Sequence, residues 1–418
     1  MRIIHTSDWH LGQFFYGKSR ALEHQKFLTW LLEQVQLHDI NAVVVAGDVF
    51  DTGTPPSYAR EMYFDFIVEM RKLHCQLFVL AGNHDSASML LESKQLAASL
   101  STCVVANVNE DIAEQVFTLK NKQGEDAAIL CAVPFIRPRD ITVSKSGQSS
   151  GQKQLQLQQA INNHYQALYQ YAKNLNSDLP VVATGHLTAL GVKTSDSVRD
   201  IYIGTLEAFP ASEFPSFDYI ALGHIHKPQI VAKQEQIRYC GSPIPLSFDE
   251  AKQQKQVLMV ELKQREAITV TALDVPCFQP LVMLKSNIES LAEEIAQVAD
   301  KYKDEDKVWL DIEIESGDYL QDLQPRIAEL VDGSNIEVLL VRRSKKARQA
   351  MPEQQKKVTL NELTINDVFT ERLAQEEWPD EQEQQQKNRL EQLFVKIHQD
   401  VLSEDPLTPN ENIESADI

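Results

Sequence analysis

Basic side chains are scarce in this 418-residue chain: 40 Lys and Arg stand against 60 Asp and Glu, a net charge of −20. Attraction to phosphate needs a basic footprint, so this balance excludes strong autonomous binding of nucleic acid. The deficit is uneven. Residues 351–418 hold 16 acidic and 6 basic side chains, half of the net charge. Cysteine is also sparse. The five (75, 103, 131, 240 and 277) are odd in number, widely spaced and without a CxxC, which excludes a disulfide framework and a zinc ribbon and fits a reducing compartment. No apolar run reaches membrane-spanning length. Met1-Arg2-Ile3-Ile4 leads straight into a strand-like run, leaving no room for a signal peptide. A cytoplasmic protein without a membrane segment is expected. Glycine is thin as well, 15 in all, yet Gly47, Gly82, Gly185 and Gly223 stand in one kind of place.

That place is the end of a short apolar run. "RIIHTSD", "AVVVAGD", "LFVLAGN", "VVATGH" and "YIALGH" each read as a buried strand closing on a small residue and a metal-ligand type. Helical patterns at 21–36 and 57–73 lie between them, so the first part of the chain is predicted to be a layered α/β domain. Ligands in such domains bind outside the carboxyl ends of the strands, so the five runs aim at one crevice. The glycine/serine-rich stretch 143–155 predicts a surface loop, followed by a helix over 157–175. Two prolines in "DVPCFQP" mark a boundary near residue 275. Beyond it, 276–341 reads as a small β-α-β-α-β domain and 342–358 as a basic linker. Residues 359–403 read as two amphipathic helices; Ile365, Val368, Phe369 and Leu373 share a face of the first, and Leu390, Leu393, Phe394, Ile397 and Val401 share a face of the second. Residues 404–418 have the composition of a disordered tail.

The strand-end residues are Asp8, His10, Asp48, Asn83, His84, His186, His224 and His226. Five of the eleven histidines fall in these turns. Imidazole, carboxylate and one amide, without thiolate, suit Mn²⁺, Fe²⁺ or Zn²⁺ better than Ca²⁺ or Cu(I). The set is too large for one ion. It suits two that share a bridging carboxylate, with Asp48 the natural bridge, and such a pair activates water and neutralises a phosphoryl group.

"DWH", "GDVFDTG", "GNHD", "TGH" and "GHIH", in this order and strand context, resemble the calcineurin-like metallophosphoesterases. Further stretches, "HTSDWHLG", "AGDVFDTGTPPSYAR", "LAGNHDS", "VRDIYIGTLEAFP", "DYIALGHIH" and "YCGSPIPLSFDE", are similar to the SbcD family of nuclease subunits over roughly residues 1–350. The resemblance implies a metallophosphoesterase β-sandwich flanked by helices, with the small α/β domain as a cap and the helical pair at the carboxyl end. It implies one ion on Asp8, His10, Asp48 and His226, and a second on Asp48, Asn83, His186 and His224, both most simply Mn²⁺. His84 then stays off the metals and serves the scissile phosphate or leaving oxygen, with Asp51 orienting it.

The implied activity is 3′→5′ exonuclease action on double-stranded DNA ends and endonuclease action that opens hairpins, in replication and recombination. The implied partner is the ATPase SbcC, docked on 359–403. The helices at 57–73 and 87–100 would form a two-fold bundle, giving a homodimer within a heterotetramer. Lys18, Arg20, Arg137, Arg139 and Arg199 are candidates for meeting the DNA backbone. The alternative is another calcineurin-like phosphodiesterase or phosphatase. Against a phosphoprotein phosphatase, "FDTGTPP" lacks the arginine that clamps a monoester there. Against a mere scaffold, all seven ligand positions are filled.

Overall fold

The computed structural model describes residues 1–109, 111–142, 149–195, 197–198, 208–303, 305–314 and 323–343, with isolated helical positions at 369, 372–373, 387, 390 and 393–394. The chain divides into two units, Met1–Gln279 and Pro280–Ile418.

In the first unit two six-stranded sheets pack face to face. One runs, in spatial order, Thr269–Asp274, Gln256–Glu261, Arg2–Thr6, Ala42–Ala46, Gln76–Leu80, Thr102–Val105. The other runs Gln229–Val231, Gln234–Tyr239, Tyr219–Gly223, Val181–His186, Asp126–Cys131, Val116–Lys120. Side chains on a strand alternate between faces, and that alternation sorts the core. Ile3, Val44, Phe78, Leu130, Val182 and Ala221 fill the space between the sheets. Their neighbours Ile4, Val43, Val45 and Val79 point outward onto the helices Ala21–Leu37 and Ser57–Lys72. Ile129, Val181 and Ile220 meet the helix Ser150–Leu175 on the opposite side. Burial on both faces is why these strands read as unbroken apolar runs.

The central strands Arg2–Thr6, Ala42–Ala46 and Gln76–Leu80 are parallel, as are Asp126–Cys131, Val181–His186 and Tyr219–Gly223. Within each sheet their carboxyl ends therefore share one edge. His5 lies between the sheets, with Nδ1 2.9 Å from the Tyr219 hydroxyl and Nε2 3.2 Å from the Leu222 carbonyl. Burial pushes its pKa down to about 3, so it stays neutral and belongs to the core.

Three local expectations need correction. Half of the glycine/serine-rich stretch is helix: Ser149 and Gln152 form a capping box, and the helix starts at Ser150 instead of 157. The rest of that stretch, 143–148, lies outside the described residues. The helix expected over 87–100 is two short ones, Ala87–Glu92 and Lys94–Ser99, broken at Ser93, whose hydroxyl turns back to the Leu90 carbonyl. The strand Ile336–Arg343 takes the first two residues of the expected linker, because Arg342 pairs with the buried Asp311 at 2.5 Å.

The second unit holds a three-stranded parallel sheet, Leu281–Ser286, Val308–Ile314 and Ile336–Arg343. Leu291, Ile295, Leu310, Ile312 and Ile327 form its core with the helices Leu291–Lys301 and Leu323–Val331. Apart from isolated positions, the linker from 344, the helical pair 359–403 and the tail 404–418 lie outside the described residues. Among those described, no helix is long and apolar enough to cross a membrane.

Candidate metal centre

Asp8, His10, Asp48 and His224 all take positive φ, at 55°, 48°, 51° and 91°. For residues with a Cβ this conformation costs about 1–3 kcal/mol each and persists only where the surroundings enforce it. Here they do. Asp8 N–H donates to the Gly47 carbonyl at 3.0 Å, His10 N–H to the Asp48 carbonyl at 3.1 Å, and His224 N–H to Asp8 Oδ1 at 2.9 Å. Each turn thus holds the next. Glycine is required at two points of closest approach: a Cβ on Gly47 would overlap His186 Nδ1, and one on Gly82 would overlap Asp48 Oδ1.

The ligand-type atoms converge in three overlapping groups, each within 4.8 Å: Asp8, His10 and His226; Asp48, His186 and His224; and His10, Asp48 and His84. Asn83 Oδ1 joins the second, 3.0 Å from both His186 Nε2 and His224 Nδ1. Every ligand position expected from the sequence therefore lies in one cluster, along with His84.

The donor set fits divalent cations. His10 Nε2 and His224 Nε2 are buried without a hydrogen-bond partner, a costly state for a polar atom unless a cation takes its lone pair. His186 donates from Nδ1 to the Ala46 carbonyl at 2.8 Å, which leaves Nε2 facing two oxygens, Asn83 Oδ1 at 3.0 Å and Asp48 Oδ2 at 3.2 Å. Burial lowers the pKa of His186, but the Asp48 carboxylate outweighs it and raises the value to about 9. Burial likewise raises that of Asp48, and the His186 charge reverses this, leaving it well below the carboxylate range. Burial and the His186 charge hold His224 neutral.

A proton on His186 Nε2 at neutral pH therefore occupies the lone pair a metal needs. Affinity for a divalent cation should rise with pH until about 9, with release of one proton. Calorimetric titrations at several pH values, in buffers of different ionisation enthalpy, would show this. A pH-independent affinity would contradict it.

His84 is fixed twice. Its N–H donates to Asp48 Oδ1 at 2.8 Å, and its ring Nδ1 to the Asp51 carbonyl at 2.7 Å. Asp51 thus meets His84 through its main chain, and its carboxylate lies 3.1 Å from His10 Nδ1. Of the basic residues, Arg20 is withdrawn from any role with DNA: it is 1% exposed, paired with Glu23 at 2.5 Å, and bound to the Pro245 carbonyl. Arg137 bonds the Asp85 carbonyl and Asn107, Arg139 is exposed, and Arg199 lies outside the described residues.

Sequence reasoning missed two supports. Asp85, buried beneath the cluster, accepts from the N–H groups of Val49, Phe50 and Gly82 and so ties two ligand turns together. Burial, then the Asp48 charge, raises its pKa to about 6. The second is the buried pair Glu250–Lys255 behind His226, joined at 2.5 Å. Asp85 was open to view as the last letter of "GNHD". Nothing in the letters joins Lys255 to Glu250.

Residues 1–228 match the family described as calcineurin-like phosphoesterase, and 277–377 one described as the type 5 capsule protein repressor C-terminal domain. The chain is 50% identical over 397 residues to the SbcD subunit of the nuclease SbcCD from Escherichia coli K12, covering 94% of this chain and 97% of that one. The chain belongs to the SbcD family of calcineurin-like phosphoesterases. SbcD relatives also match from Rhodobacter capsulatus, 30% identical over 68% of this chain and 71% of the relative, and from Bacillus subtilis, 29% over 77% and 80%. The phosphoesterase match spans every ligand position from Asp8 to His226, whereas Glu250 and Lys255 fall between the two matched regions.

Proposed function

We propose that this chain is the nuclease subunit of a cytoplasmic SbcC–SbcD complex, hydrolysing DNA phosphodiesters with two Mn²⁺ ions. The observation that carries this reading is the set of three overlapping ligand-type groups, two of which share Asp48, in a chain that matches an SbcD relative over almost its whole length. One ion would be held by Asp8, His10, Asp48 and His226, the other by Asp48, Asn83, His186 and His224. When bound, such ions supply Lewis acidity and a water activated near neutral pH. Asp48 holds the two sites together. The bond from His84 Nδ1 to the Asp51 carbonyl leaves Nε2 as the nitrogen that gains or loses a proton, and from there His84 donates to the departing oxygen. Asp51 positions both rings, His84 by its carbonyl and His10 by its carboxylate.

The activity follows as 3′→5′ exonuclease action on duplex ends and endonuclease action on hairpins, in replication and recombination. Manganese-dependent hydrolysis of a diester dye, with the monoester dye cleaved far more slowly, is the expected result. Preference for the monoester would favour a phosphatase, and cleavage of neither a scaffold.

The partner is SbcC, and its docking element is the segment 359–403. Two narrow apolar faces bury too little to be stable alone, and the surrounding acidic charge steers toward a basic protein surface and away from DNA. Deleting residues 350–418 should leave manganese-dependent single-strand cleavage unchanged and abolish co-purification with SbcC. Full-affinity SbcC binding by the truncated chain would sink the assignment. Two copies pair through the helix Ser57–Lys72 and the two short helices Ala87–Glu92 and Lys94–Ser99, where Leu91 and Leu96 are exposed.

A further inference from the structure

The stretch "YCGSPIPLSFDE" at 239–250 supplies no metal ligand, yet it and Lys255 enclose the back of His226. Glu250 is fully buried, and one of its oxygens, Oε1, receives the hydroxyls of Ser197 at 2.5 Å and Ser195 at 2.7 Å. The other, Oε2, receives Lys255 Nζ at 2.5 Å and the Leu246 N–H at 3.1 Å. Lys255 in turn donates to the Ser242 hydroxyl at 3.0 Å and to the main-chain carbonyl of His226 at 3.1 Å. Ser197 Oγ lies 2.6 Å from His226 Nδ1, and Glu250 Oε1 3.4 Å from the same nitrogen.

The proton inventory fixes the direction of these bonds. A carboxylate paired with an ammonium only accepts, so the single hydroxyl proton of Ser197 goes to Glu250. Its oxygen then accepts from His226, which places the ring proton on Nδ1 and the lone pair on Nε2. We infer that Glu250 and Lys255, acting through Ser197, are positioning residues that hold His226 in the ring orientation and tautomer its ion requires. The ammonium fixes the His226 main chain and the carboxylate fixes its ring, so both ends of the residue answer to one buried ion pair. This inference rests on the two-ion reading above, and it assigns a role to a segment that neither family match covers.

An outer partner of a metal-binding histidine typically changes affinity by about 10–100-fold. In the full-length chain, Glu250→Gln should weaken one of two Mn²⁺ sites by roughly that factor and leave the other at the parental value. Ser197→Ala, on a partly exposed turn and therefore safe for folding, should weaken the same site by a smaller factor. Imidazole ¹⁵N spectra without metal should show His226 protonated on Nδ1 in the parent and a tautomer mixture in both variants. A role in fold stability alone would leave the surviving affinities and the tautomer unmoved.

If Glu250→Gln fails to fold, Ser197→Ala decides the matter. A parent that binds two ions, with every folded variant binding two at parental affinity, would overturn this inference and leave the proposed function standing. A parent that takes up no Mn²⁺ would overturn both.

Discussion

A His84→Ala chain is expected to keep both metal ions and lose cleavage by about 10²- to 10⁴-fold, the range associated with a positioned acid or base. The ring is held by the Asp51 carbonyl and stacked edge-on against His10 with centroids 4.6 Å apart, so it projects beside the ligand set. Its nitrogen also falls in a group with His10 and Asp48, and that proximity makes the experiment decisive. If elemental analysis of His84→Ala finds an ion lost, His84 is a ligand and the division of roles fails. If occupancy stays at two while the diester dye goes uncleaved, its task is proton transfer.

The Asp48→Ala chain should differ in its metal content, with both ions lost together and hydrolysis at background. Asp48 belongs to two of the three ligand-type groups, and its Oδ2 lies 3.2 Å from His186 Nε2 and 3.7 Å from His10 Nε2. On the proposed two-ion reading its loss should exceed the roughly 10–100-fold effect of an outer partner, because it would remove a ligand from two sites at once. Calorimetry on Asp48→Ala showing one ion bound at parental affinity would mean that Asp48 serves a single site. Because Asp48 also holds the proton on His186, that ring should titrate lower in the variant, which ¹⁵N spectra can follow.

The cluster of ligand-type residues was legible because doubly buried strands announce themselves as apolar runs, and each run breaks at a polar residue that burial alone would not select. Asp8, Asp48, Asn83, His186 and His224 all sit at such breaks. The helices 21–36 and 57–73 were legible for the same kind of reason, a regular apolar face. Pairings across long separations were not. That the Asp51 carboxylate would meet His10 while its carbonyl took His84 depends on a turn geometry that no spacing rule supplies. Arg20 reads as a surface cation, and only the neighbouring Glu23 and the distant Pro245 carbonyl turn it inward. Ser93 sits mid-helix by pattern and breaks the helix through a local hydroxyl bond, a competition that propensity sums average away.

The two sheets contribute the centre in halves. Asp8, His10, Asp48 and Asn83 follow strands of one, and His186, His224 and His226 end or follow strands of the other. The strand Arg2–Thr6 that carries Asp8 is itself flanked by Gln256–Glu261, far along the chain. A polypeptide emerging from the ribosome thus has half a centre from Asn83 until His186, His224 and His226 are made, and the cradle of His226 waits for Glu250 and Lys255. A fragment that stops before His226 therefore lacks part of the cluster, whereas one that ends after the first unit carries all of it.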